Sequence, residues 1–226
     1  MCTPSGVPPP SDAAAATLAA AATLDAWSDP SRWTGSDNFG TRTAGRIYAI
    51  TWNLQLALTP SLTLNSCRDR WWALLDALFA LHITFACLQE TGTGNDPTAQ
   101  AKARGYVQAW SRAKNLPAAA VRLWCGSGMK TSLCGGVAAG VAILAFGAWA
   151  ARGQPARCWA DGSTLSVQFA LSGPQSVTVV SQYAPQLGAV DSRGLDLHES
   201  FRDASTITKT ELDKQVNTTQ LWMGDY

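Results

Sequence analysis

The sequence predicts an α/β protein, and three observations predict it. A β-rich apolar segment, a helical segment and a second β-rich segment follow one another between Arg46 and Leu88, the form of a βαβ unit. Short apolar runs at Gly140–Phe146, Leu165–Leu171 and Val177–Tyr183 have strand length and are bounded by Gly, Pro and Ser. A long helical pattern from Leu195 to Val216 then leads into another apolar segment at Leu221-Trp222-Met223.

Taken in order, residues 1–44 are rich in Ala, Pro, Ser, Thr and Gly, and read as a low-complexity, disordered leader. Ala13–Trp27 has the composition of a short helix inside it. The globular part is residues 45–226. Arg46–Trp52 (RIYAITW) reads as a strand covered on both faces. Ser66 and Asp69 have the spacing of a capping box. Behind them Trp71, Leu74, Leu75, Leu78 and Phe79 form one apolar helical face. Thr84–Leu88 is the next strand, so the unit predicts a right-handed crossover between two parallel strands. Residues 92–135 read as loop-rich. Ser172-Gly173-Pro174-Gln175 is a turn between two strands. In Leu195–Val216 the β-branched Thr206, Ile207 and Thr208 argue against an otherwise helical pattern. The chain reaches Gly224-Asp225-Tyr226 just after a strand begins, which predicts a domain cut short.

The formal net charge is +1, but its distribution is uneven. Pro97 to Ala160 contains no acid, while Lys102, Arg104, Arg112, Lys114, Arg122, Lys130, Arg152 and Arg157 are all basic. Trp110, Trp124, Trp149 and Trp159 are interleaved with them. Basic residues contact phosphates and exposed Trp stacks on bases, so this segment predicts a nucleic-acid face. For any single Trp the better reading is a core ring beneath solvated charges; the phosphate-contact reading belongs to the segment as a whole. Six cysteines show no zinc-type spacing; Cys87 reads as a buried thiol, and a Cys125–Cys134 disulfide stays open. Gly136–Ala151 is too short to span a bilayer and the N-terminus is a poor signal peptide, so no membrane role is expected. An intracellular site, cytoplasmic or nuclear, is expected; oligomeric state is not readable.

Asn53 follows the first strand and Glu90 the second. In a parallel pair both stand at one sheet edge, where an amide and a carboxylate suit a hard cation. Taken alone, the two read more readily as a turn former and a solvated acid.

The chain carries Thr51-Trp52-Asn53, then Leu88-Gln89-Glu90-Thr91, then Gly135-Gly136-Val137 with Gly140-Val141-Ala142-Ile143-Leu144. Gln182-Tyr183-Ala184-Pro185 and Met223-Gly224-Asp225-Tyr226 follow. In this order, over residues 46–226, the set resembles the endonuclease/exonuclease/phosphatase (DNase I-like) superfamily. That family's pattern runs W-N, L-Q-E-T, G-G-V-A-I-L, Y-x-P and G-D-F-N. The resemblance implies a four-layer α/β sandwich with two mixed sheets, here truncated at its C-terminal end. It implies a metal-dependent phosphodiesterase that uses Mg²⁺, or Mn²⁺ in its place, and attacks directly with water. Glu90 would be the metal ligand with Asn53 beside it, and Tyr183 would reach the substrate phosphate. Asp225 would orient the attacking water. Arg112, Lys114, Arg122 and Lys130 are the candidate substrate-phosphate contacts. Tyr226 replaces the family's Phe. The family's following Asn, its late Asp and its catalytic His would lie beyond Tyr226, so this stretch is expected to hydrolyse little or nothing. His82 and His198 read as structural or solvated. DNA or RNA is the expected partner, and the Trp/Arg-rich middle looks like non-LTR retrotransposon endonucleases. A phosphatase of inositol lipids, sphingolipids or nucleotides, and a non-catalytic degenerate module, are the alternatives.

Overall fold

The computed structural model describes residues 47–54, 64–126, 129–130, 137–138, 140–159, 162–171, 173–185, 188–190 and 194–225. The leader with its Ala13–Trp27 helix, Arg46, Cys2, Cys134 and Tyr226 lie outside the described residues. No helix among the described residues is long and apolar enough to cross a membrane.

Strand β1 (Ala49–Asn53) pairs in parallel with β2 (Phe85–Gln89), Ala49 opposite Phe85 and Asn53 opposite Gln89. Helix α1 (Leu64–Ala80) lies between them in sequence. Its Trp71, Leu74, Leu75 and Leu78 are buried, as their spacing predicts. Phe79 is not: it is 43% exposed and only leans its ring on Trp110 at 5.5 Å between centroids. The capping box also fails. The helix already starts at Leu64, so Ser66 lies inside it, and Asp69 instead accepts a bond from the neighbouring Arg68 Nε at 3.3 Å.

The expected loop over 92–135 is the largest correction. Residues Pro97–Ala113 form a 17-residue helix, α2. Asp96 caps it by accepting from the Thr98 amide at 2.8 Å, and Pro97 occupies the first turn, where its missing N–H costs nothing. Ala99, Ala103, Val107 and Trp110 make its buried stripe. Three of the four anchors are small, which hid the period among polar neighbours. Strand β3 (Val121–Cys125) follows, then a short hairpin of β4 (Met129–Lys130) and β5 (Val137–Ala138).

Strand β6 (Ala142–Phe146) runs antiparallel to both β2 and β3, giving one mixed sheet in the order β1-β2-β6-β3. Short helix α3 (Ala148–Arg152) turns the chain into the second sheet. There β7 (Arg157–Cys158), β8 (Thr164–Ala170) and β9 (Ser176–Tyr183) form an antiparallel run. Helix α4 (Leu197–Asp213) then returns the chain so that β10 (Thr218–Asp225) lies parallel to β9. The β-branched residues that argued against α4 are accommodated. The hydroxyls of Thr206 and Thr208 donate back to the carbonyls of Arg202 and Ala204 at 2.9 and 2.8 Å.

The two sheets meet face to face. Phe85, Cys87, Trp124, Val141, Ile143 and Ala145 from the first interlock with Leu165, Val167, Phe169, Val177, Val179 and Met223 from the second. Phe169 is the keystone, with ring centroids 4.7 Å from Phe85 and 5.4 Å from Trp124. On the outer face of the second sheet Val180 packs with Leu212 of α4. Period-2 alternation thus gives β9 two buried faces, Val177 and Val179 inward, Val180 outward.

A candidate active site at one edge of the sandwich

Because β1 and β2 are parallel, their C-terminal ends share an edge; because β9 and β10 are parallel, theirs do too. The two edges coincide. Cys87 Sγ lies 4.0 Å from the Val180 carbonyl and Gln89 Nε2 donates to Ser181 Oγ at 3.2 Å, so β2 and β9 advance together toward the same end of the molecule. Asn53, Glu90, Tyr183 and Asp225 all follow or end these four strands. Asp225 stands opposite Tyr183 in the strand pairing.

Asn53 Nδ2 donates to Glu90 Oε1 at 3.1 Å, which orients the carboxylate. Glu90 is half-buried and has φ +51°, left-handed backbone that a non-glycine residue adopts at a cost of about 1–2 kcal/mol. Strain of this kind persists only where the surroundings hold it. They do: the Leu54 amide donates to the Gln89 carbonyl at 2.9 Å and the Thr91 amide to the Gly140 carbonyl at 3.2 Å. Gly140 has φ +85°, and a Cβ there would stand 2.8 Å from Thr91 Oγ1 and 2.9 Å from the Gly94 amide. On the other sheet, a Cβ on Gly224 would stand 2.6 Å from the Gln182 carbonyl, so only glycine lets β10 carry Asp225 close along β9.

The donor set tests the expected ion. Glu90 uses one oxygen on Asn53, and among the described residues its second oxygen has no protein partner. No group of three or more His, Cys, Asp and Glu gathers among the described residues. One carboxylate beside an amide fits Mg²⁺, which keeps much of its water and takes one or two carboxylates; it does not fit a zinc cage.

No protein-family model matches the chain, and no curated protein matches it. Among solved structures, the AP endonuclease LMAP from Leishmania major aligns over 93% of this chain and 66% of its own, at 16% identity and a TM-score of 0.50. The fold is the DNase I-like α/β sandwich. TDP2 from C. elegans aligns over 78% of this chain and 46% of its own at 12% identity and a TM-score of 0.42. A beta-hairpin deletion mutant of beta toxin from Staphylococcus aureus covers 80% and 66%, at 15% and 0.44. The chain therefore spans less than two thirds of the length of each.

Within the DNase I-like sandwich the predicted basic contacts do not all reach this edge. Arg122 is opposite Ala145, which is opposite Phe85, which is opposite Ala49; the Asn53 end is four residues, about 13 Å, further along. Arg112 and Lys114 sit at the far end of α2, and Lys114 pairs with Asp76 at 2.8 Å. These three do not share the Glu90 edge. Lys130 does by topology, since its hairpin joins Cys125 to Ala142, opposite Leu88.

The tryptophans are internal, as each reads singly. Trp110, Trp124 and Trp159 are buried, and half-buried Trp149 packs on Phe85 and Phe169. Trp110 Nε1 donates to Asp76 and Trp159 Nε1 to Ser166 Oγ. Lys114, Arg122, Arg152 and Arg157 lie over these four rings, so the basic and aromatic residues satisfy each other instead of offering a stacking platform.

Cys87 is buried and free, and burial pushes its thiol up. Cys125 is also free; burial pushes it up to about 12, offset in part by nearby Arg104. The other half of the expected Cys125 disulfide lies outside the described residues. His82 is exposed in the turn after α1, and half-buried His198 has Nδ1 3.4 Å from the Pro185 carbonyl. Sequence reasoning gave Gln89, Ser181 and Thr51 no role; the signal for them was polar residues in otherwise apolar strands.

Proposed function

We propose that this chain provides the metal-binding edge of a Mg²⁺-dependent phosphodiester hydrolase, an endonuclease acting on DNA or RNA by direct attack of water. The observation that carries the reading is the Asn53–Glu90 pair at the edge shared by β1, β2, β9 and β10. The fold shared with an AP endonuclease supports it.

In this reading Glu90 would hold the ion, with Asn53 orienting its carboxylate. Bound Mg²⁺, or Mn²⁺, supplies positive charge where charge builds on the phosphate oxygens. Asn53 aims the carboxylate by donating to Oε1. Tyr183 donates its hydroxyl to the substrate phosphate, and Asp225 orients the attacking water and accepts its proton. Lys130, on the hairpin at the same end, adds a cation for the phosphate backbone.

The test is titration of the chain with Mg²⁺ and Mn²⁺ by calorimetry, with Glu90→Ala alongside. Binding is expected in the unchanged chain and abolished in the variant. Equal binding by both, or none by either, overturns the reading. A panel of phosphodiesters and phosphomonoesters then separates endonuclease from phosphatase, and any metal-dependent cleavage is expected to vanish with Glu90→Ala.

A further inference from the structure

Gln89 is the last residue of β2 and the neighbour of Glu90 in the chain. Its amide is fully buried inside an apolar sandwich, where an unbonded amide costs several kcal/mol and a leucine would fill the same space without that penalty. Both ends of the amide are bonded. Thr51 Oγ1 on β1 donates to Gln89 Oε1 at 3.1 Å, and Gln89 Nε2 donates to Ser181 Oγ on β9 at 3.2 Å. Ser181 is itself fully buried and lies two residues before Tyr183. One side chain thus ties three strands and both sheets together, one residue from the strained Glu90 and directly opposite Asn53 in the strand pairing.

An apolar interface has no directional preference along the strands, so packing alone allows one sheet to slide against the other by a fraction of an ångström. A hydrogen bond does not. We infer that Gln89 is a positioning residue: by fixing β2 on β1 and on β9 it holds the Glu90 carboxylate in its left-handed setting, in register with Asn53 and at a set distance from the Tyr183 end of the second sheet. Its role is to fix geometry. The functional weight of this inference rests on the metal-binding reading of Glu90; the geometric part does not.

The experiment uses the full chain with Gln89→Leu and, from the other partner, Ser181→Ala. The side-chain amide signals of Asn53 in a proton–nitrogen spectrum report the Asn53–Glu90 bond without any metal. Gln89→Leu is expected to lower the melting temperature somewhat, because the fully buried Ser181 Oγ loses its bond from Gln89. It is also expected to collapse the two Asn53 amide protons toward the solvent-exchanging position, and to weaken Mn²⁺-induced broadening around Glu90 about tenfold. Ser181→Ala should shift the Asn53 signals in the same direction. If both variants leave those signals in place, Gln89 is a structural filler and the inference falls, whatever happens to melting. If the signals move but Mn²⁺ broadens nothing even in the unchanged chain, the positioning stands and the metal reading of Glu90 is what fails.

Discussion

At the scale of the residue, Glu90 sits against the conformational preference of its own backbone. A φ of +51° is tolerated by glycine and resisted by any side chain with a Cβ. This reverses the usual ranking of glycine and alanine. Glu90→Gly and Glu90→Ala both lose the bond from Asn53, so their difference isolates the backbone. Glu90→Gly is expected to be more stable than Glu90→Ala by about 1 kcal/mol in urea denaturation. Alanine equal to or above glycine would mean that the left-handed setting is absent in solution. A glutamate kept where glycine is easier, with its carboxylate oriented by an amide, is what a ligand residue looks like when geometry outweighs stability.

At the scale of the element, the β9–β10 pair decides whether Asp225 stands beside Tyr183. The two strands are parallel through all eight positions, and at Gly224, opposite Gln182, a Cβ would stand 2.6 Å from the Gln182 carbonyl. The obstructing atom is a backbone carbonyl, which cannot rotate aside as a side-chain tip would. Gly224→Ala is therefore expected to cost about 2 kcal/mol or more and to speed amide exchange selectively in β10. Exchange unchanged across β10 would show that the close approach is not there. Helix α2 teaches the opposite lesson about elements. Asp96-Pro97 announces a helix start by capping chemistry, and Ala99, Ala103, Val107 and Trp110 keep helical spacing. The pattern was present but weak, because alanine barely differs from its surroundings in hydrophobicity.

At the scale of the whole molecule, burial of thiols between and beneath the sheets couples stability to alkaline pH. Cys87 and Cys125 are both raised above their ordinary value of 9.0, Cys125 to about 12. An acid whose folded pKa is raised favours the folded state fully below pH 9 and loses that contribution as pH climbs from 9 toward 12. Unfolding free energy should therefore be flat in this respect up to about pH 8.5 and then fall, by at most about 1.4 kcal/mol per pH unit for each thiol. The difference curve between the unchanged chain and Cys87→Ala/Cys125→Ala isolates those two groups; a flat difference from pH 8 to 11 would contradict it. The sequence by itself determined the α/β alternation, the strands and the order of the motifs, because these are local properties of period, turn chemistry and spacing. It placed Asn53 and Glu90 at one sheet edge through the parallel βαβ rule, and their contact follows it. It misread α2 as loop, and it read the basic, Trp-containing segment as a whole as a phosphate-contacting face although each Trp singly reads as core. It also put Arg112, Lys114 and Arg122 with the candidate site. Whether a tryptophan faces solvent, or which end of a strand a cation occupies, depends on pairing and packing between segments far apart in the chain. Only the tertiary structure decides that, as it decides that a buried glutamine spans the two sheets beside Glu90.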